Sequence, residues 1–133
     1  MHEKHVPDLE HCQELDRLCK EKGIVVPETE FVWVTFDYGF QWQLVSTDNE
    51  IDRSGADQVI PAPLVSEQGE WFPEYLMIRG KRYLPKQQQV GVRRYYSYEY
   101  DEFNLIIQGG KGEPNARQKM LNYLIAEGII TKL

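Results

Sequence analysis

Histidine is scarce in this chain: His2, His5 and His11 are the only three among 133 residues, and all fall within the first eleven. General acid–base and nucleophilic mechanisms usually call on a histidine or a matched pair of titratable groups, so no Ser-His-Asp device and no enzyme is expected. Cysteine is equally sparse. Cys12 and Cys19 stand seven positions apart in a segment whose periodicity predicts a helix. That spacing separates their backbones by about 10 Å, which forbids a bond within the helix and keeps the two from sharing one tetrahedral ion. They are expected to be reduced core thiols, and no cofactor or metal is expected. No run approaches the roughly 20 apolar residues of a membrane-spanning helix. The opening MHEKHVPDLEHC has no basic-then-apolar signal region, so the expected setting is cytoplasmic, with no membrane partner.

Positive charge is also short, and unevenly spread. Residues 1 to 60 hold 5 Lys/Arg against 13 Asp/Glu, a balance of −8, while residues 61 to 133 hold 10 against 8, or +2, which together give the net −6. Nucleic-acid binders draw most of their affinity from neutralising phosphates, so the balance argues against a general binder and leaves open a local basic patch on the second part. What the chain does have is enough apolar and aromatic material, 41% and 12%, for a single soluble domain with a core of its own.

Val6, Leu9, Cys12, Leu15, Leu18 and Cys19 recur at three- and four-residue steps between Pro7-Asp8 and Gly23, which predicts an amphipathic helix over about 8 to 22. FVWVTF (31 to 36) and FQWQLVS (40 to 46) flank DYG and predict a hairpin with one buried face, Phe40, Trp42 and Leu44 alternating with polar neighbours. The polar stretch 47 to 58 reads as the longest loop and the place where two lobes, 1–57 and 58–133, would divide. In PAPLVSEQGEW, Pro63 suits the start of a short helix and Gly69 its end, with Trp71 and Phe72 at the following corner. EYLMI and RYLP predict short strands around Arg79-Gly80-Lys81; VGVRRYYSYEY and FNLIIQ predict a longer pair. The closing helix carries Ala116, Met120, Leu121, Leu124 and Ile125 as one stripe up to Gly128, after which Ile129 is expected to pack back. The fold class is α+β: a mainly antiparallel sheet with an N-terminal helix, a short middle helix and a C-terminal helix.

Glu67, Glu70 and Glu74 lie at helical steps and read as a solvated charged face. IIQGGKGEPNA sets a glycine-rich turn with Lys111 between strand and helix, the order in which backbone amides cradle phosphate, although it lacks the Walker pattern. RRYYSYEY raises the question of a base-stacking platform. Successive strand residues point to opposite faces, which groups Val90, Val92, Arg94, Tyr96, Tyr98 and Tyr100 on a core side and leaves Arg93 and Tyr95 outside. Arg79, Lys81, Arg82 and Lys86 precede them, either as a positive patch with Arg93 or as a solvated edge bearing protective cations.

APLVSEQGEWFPE (62 to 74) together with ARQKMLNYLIAEGII (116 to 130) resembles small uncharacterised bacterial prophage and mobile-element proteins, a likeness over residues 62–130 that implies a genomic setting and no mechanism. The order helix, strands, helix over 63 to 128 also resembles a double-stranded RNA-binding domain in outline. The first expectation is a non-enzymatic protein-interaction or regulatory accessory with a protein partner, engaged through exposed members of the set Trp33, Tyr38, Trp71, Phe72 and Tyr95. The alternative is nucleic-acid or phosphate-ligand binding through Arg79, Lys81, Arg82, Arg93, Tyr95 and Lys111. Self-association into a homo-oligomer stays open.

Overall fold

The computed structural model describes residues 5–49, 53–91, 93–100 and 103–133; within the strands, the side chains of residues 78, 95, 96, 98–100 and 103–111 lie outside that description. The elements run α1 (Leu9–Lys22), β1 (Phe31–Thr35), β2 (Gln43–Ser46), β3 (Gln58–Ala62), α2 (Val65–Trp71), β4 (Leu76–Ile78), β5 (Lys81–Val90), β6 (Arg93–Tyr100), β7 (Phe103–Lys111) and α3 (Glu113–Ala126). Two antiparallel sheets, ordered β2-β1-β3 and β4-β5-β6-β7, accompany the three helices, so the α+β class and the placement of the helices are as expected.

α1 forms where its apolar spacing predicts. Gly23 closes it in the left-handed conformation at φ 70°, which glycine adopts without a Cβ clash. Its buried face serves two clusters. Leu15, Leu18 and Cys19 pack with Trp71, Leu76, Met120, Leu121, Leu124, Ile125 and Ile130, whereas Cys12 packs with Val6, Trp33, Ile60 and Ala62.

β1 is central in its sheet and buried from Val32 to Thr35 on both sides, not on one as the hairpin pattern implied. The second strand starts at Gln43, so Phe40 stays in the loop before it. β3 was not legible as a strand: it pairs Phe31↔Ala62 through Thr35↔Gln58 with Pro61 opposite Val32. Pro61 is tolerated because β3 is an edge strand, where a missing N–H can face away from the ladder.

α2 runs through Gly69 to Trp71 instead of ending at the glycine. Gly69 is an exposed helical residue, and a Cβ there would meet the Arg117 guanidinium of α3 at 3.4 Å, an ordinary contact. Glu67 is not merely solvated: its Oε1 accepts from Leu64 N–H at 2.7 Å and its Oε2 from Glu30 N–H at 3.0 Å, tying the start of α2 to β1.

In the second sheet, Arg79 and Gly80, at φ 53° and 78°, form the two-residue turn joining β4 to β5, the positive-φ geometry that matches strand twist. β5 continues far beyond RYLP to Val90, and Gly91, at φ 61°, turns the chain back. VGVRRYYSYEY is therefore two strands. Val90 stands across from Arg93 and does not share a strand face with Arg94; Val92 lies outside the described residues. Gly109, Gly110 and Lys111 belong to β7, opposite Tyr95, Arg94 and Arg93, and only Gly112 links it to α3.

α3 buries the predicted stripe from Ala116 to Ile125. At its end Gly128 adopts φ 75°, and Ile129 and Ile130 both donate backbone N–H to Leu124 O, at 2.9 and 3.1 Å. Ile130, not Ile129, is the residue that packs back into the core. The helix also buries Asn115, Gln118 and Asn122. Gln68 Nε2 donates to Gln118 Oε1 (3.1 Å) and Pro114 O (3.0 Å), Gln118 Nε2 to Asn122 Oδ1 (2.9 Å), and Asn122 Nδ2 to His11 O (3.1 Å). Asp8 N–H donates to Asn115 Oδ1 at 2.6 Å. This polar seam fastens α2 and α1 to α3.

Candidate interaction surfaces

The β1–β2 connection is built around Asp37. Its Oδ1 accepts from Thr35 Oγ1 and from Gln41 N–H, both at 2.9 Å, while its carbonyl accepts from Phe40 N–H at 3.2 Å. Thr35 Oγ1 in turn accepts from Gly39 N–H at 2.9 Å. Asp57, from just before β3, reaches the loop from the other side: its Oδ2 accepts from Tyr38 N–H at 2.9 Å, and its own N–H donates to Thr35 O at 2.8 Å. The Gln41 amide, helped by the Thr35 hydroxyl, holds the Asp37 carboxyl below its ordinary value against a smaller opposing effect of burial. Tyr38 sits at φ 57° and Gly39 at φ 92°. For tyrosine that conformation costs about 1 kcal/mol, which the bonds at positions 37 and 57 offset. The result is a pinned tip on which Tyr38 is 90% and Phe40 84% exposed, with Phe36 partly exposed beside them.

Of the other aromatic candidates, Trp71 and Trp33 are core residues, one in each cluster. Phe72 is half-buried against the first cluster. Their size suits an interface and a core equally, and in each case the flanking helix or sheet covers them. Tyr95 has its backbone opposite Gln88 and Gly109, and its side chain lies outside the described residues.

The second surface is one side of the four-stranded sheet. Buried Leu76 and half-buried Tyr83 are cross-strand partners that face the core. Further along the same side of β5, the Gln87 amide sits between Glu113 Oε1 at 2.9 Å and Arg117 Nη2 at 2.6 Å, oriented to donate to one and accept from the other. That side therefore faces α3. The pleat puts Met77, Arg82, Leu84, Lys86, Val90 and Arg93 on the opposite, more open side, where all six are exposed while Ser97, across from Lys86, is buried. The Arg82 guanidinium lies 4.5 Å above the ring of Tyr75.

The sequence-derived basic set thus divides. Arg82 and Arg93, with Lys86, meet on the open side; Lys81 is on the α3 side and Arg79 in the turn. Arg94, also on the α3 side, is half-buried. Lys111 is opposite Arg93 in the ladder, its side chain outside the described residues. The glycine-rich reversal between sheet and helix is shorter than its sequence suggested, because Gly109 and Gly110 are strand residues, and Glu113 starts α3 with its carboxylate paired to Arg117 at 3.0 Å.

Elsewhere among the described residues, Asp8, Glu10 and His11 bring one ligand atom each within 4.8 Å of one another on the outer side of the α1 start. Burial pulls the His11 imidazole below its ordinary value, with Lys119 adding to that effect and Glu10 and Asp8 opposing it. Burial pushes the Cys12 thiol up to about 12 and that of Cys19 up to about 11, leaving both cysteines free and protonated. Among the described residues no helix is long and apolar enough to cross a membrane. No protein-family model, no curated protein and no solved structure matches the chain.

Proposed function

We propose that the protein is a non-enzymatic interaction or regulatory accessory that engages a protein partner through the tip of the β1–β2 loop. The carrying observation is that Tyr38 and Phe40 are almost fully exposed on a loop pinned by Asp37 and Asp57. Large rings dominate interface hot spots, and a loop already held in shape loses little conformational freedom on docking. Both cysteines are free, which is compatible with a reducing compartment, and we propose the cytoplasm as the protein's setting. A setting in a mobile element rests on the resemblance of residues 62–130.

The test is affinity capture from the source organism with wild type and with the double variant Tyr38→Gly/Phe40→Ser. Glycine relieves the positive φ at position 38, so the variant should keep its melting temperature. A partner recovered by wild type and lost by the variant supports the reading, and equal recovery by both refutes it.

A second reading, nucleic-acid or phosphate-ligand binding, is favoured by the ladder register that collects Arg82, Lys86 and Arg93 on one exposed side. Its signature is affinity that falls steeply as salt rises.

A further inference from the structure

The geometry points to a second docking device, independent of the loop: we infer that the outer edge of β5 accepts an extended acidic segment of another protein as an added strand. β5 is much longer than the β4 that flanks it. β4 pairs only with Lys81, Arg82 and Tyr83, and residues 84–90 are paired on the other side by β6. Among the described residues, no strand pairs with the β4 side of residues 85–89.

Two tight turns fix which backbone groups face that edge. In a four-residue turn the first carbonyl accepts from the fourth N–H, and hydrogen-bonded and non-bonded pairs then alternate along an antiparallel ladder. The turn at Arg79-Gly80 makes Ile78↔Lys81 a bonded pair, so Lys81 and Tyr83 point their backbone groups toward β4. The turn after Val90 makes Val90↔Arg93 a bonded pair, so Val90, Gln88, Lys86 and Leu84 point toward β6. Both turns give the same assignment. Pro85, Gln87 and Gln89 therefore face outward on the β4 side, presenting a carbonyl from the proline and a donor and acceptor from each glutamine. Pro85, which has no N–H, falls in the outward set, where it removes nothing from the ladder.

The charge of the adjoining face says what this edge selects. On the open side this free stretch carries Lys86 and Gln88, with Leu84, 50% exposed, at its start; Arg82, across from Met77, and Arg93, on β6, lie at its two ends. An added strand whose open-side residues alternate between acidic and apolar meets these cations and this leucine in register. A second copy of the chain brings the same cations to the same face, and proline with lysine on an edge is the usual guard against such self-pairing. Single-stranded nucleic acid satisfies the cations but leaves the outward amides of Gln87 and Gln89 unused. Strand addition uses both, with backbone bonds supplying affinity and side chains specificity.

The probe is a fluorescein-labelled heptapeptide Glu-Thr-Val-Thr-Glu-Thr-Val, whose Glu and Val alternate along one face of the strand, titrated by anisotropy into the full chain. Saturable binding is expected, weakened about tenfold or more when every backbone nitrogen of the peptide is methylated or when Lys replaces Glu. Lys86→Glu should invert the preference between the Glu and Lys peptides. With the wild-type protein and the Glu peptide, the amides of Gln87 and Gln89 should slow their hydrogen exchange while those of Lys86 and Gln88 stay unchanged. Equal binding of the methylated peptide overturns the inference, as does no binding of the Glu peptide. Binding of an oligo(dT) strand in its place assigns the face to nucleic acid, and a dimer by light scattering that competes with the peptide assigns the edge to a second copy; either result also overturns it.

Discussion

Asp37 governs the tip through its charge. Its folded-state pKa is depressed chiefly by the Gln41 amide. The unfolded chain therefore binds the proton more readily, and the contribution of Asp37 to loop order is complete above the free carboxylate value of about 4 and is lost as pH falls through the lower folded value. An NMR titration following the Gln41 amide proton should give a midpoint below about 4, and a midpoint at or above that value would contradict the assigned bond. At this scale the sequence was half legible. Tyr38 belonged to the aromatic set from the start, but nothing in the letters separated it from Trp33 and Trp71. What separates them is backbone conformation and cover. Tyr38 is held in the left-handed region by a partner 19 residues away, whereas α2 and β1 carry the tryptophans inward.

Among the elements, α3 shows both what periodicity reveals and what it hides. The stripe Ala116, Met120, Leu121, Leu124 and Ile125 is buried as its spacing required. Asn115, Gln118 and Asn122 carry no apolar periodicity, yet α1 and α2 close over them, and Gln68, Gln118 and Asn122 bond in series to the His11 carbonyl. Replacing Gln118 by Leu strands the Asn122 oxygen and leaves the Gln68 amide with Pro114 O as its remaining partner in the seam. Unfolding in urea should show a loss of about 1–3 kcal/mol. The double variant Gln118→Leu/Asn122→Leu should lose less than the sum of the single changes, and simple additivity would argue against a coupled seam. The same limit explains the missed strand and the misplaced glycines. A proline-containing edge strand carries no alternation to read in β3, and the glycines at 69, 109 and 110 lie inside a helix and a strand instead of in turns.

For the whole molecule, the two clusters hang from one helix, with Cys12 in one and Cys19 in the other. If α1 joins them into a single cooperative unit, both thiols become reactive only on global unfolding. Labelling with a thiol reagent across a urea series should then modify Cys12 and Cys19 at one common midpoint, whereas two separated midpoints would mark independent lobes. The long-range bonds that lock α1, from Asp8 to Asn115 and from Asn122 to His11, span 107 and 111 residues. During synthesis, α1 therefore leaves the ribosome well before the helix that covers it exists. Residues 9–22 keep an apolar face open to chaperones through most of translation, and native closure waits for α3.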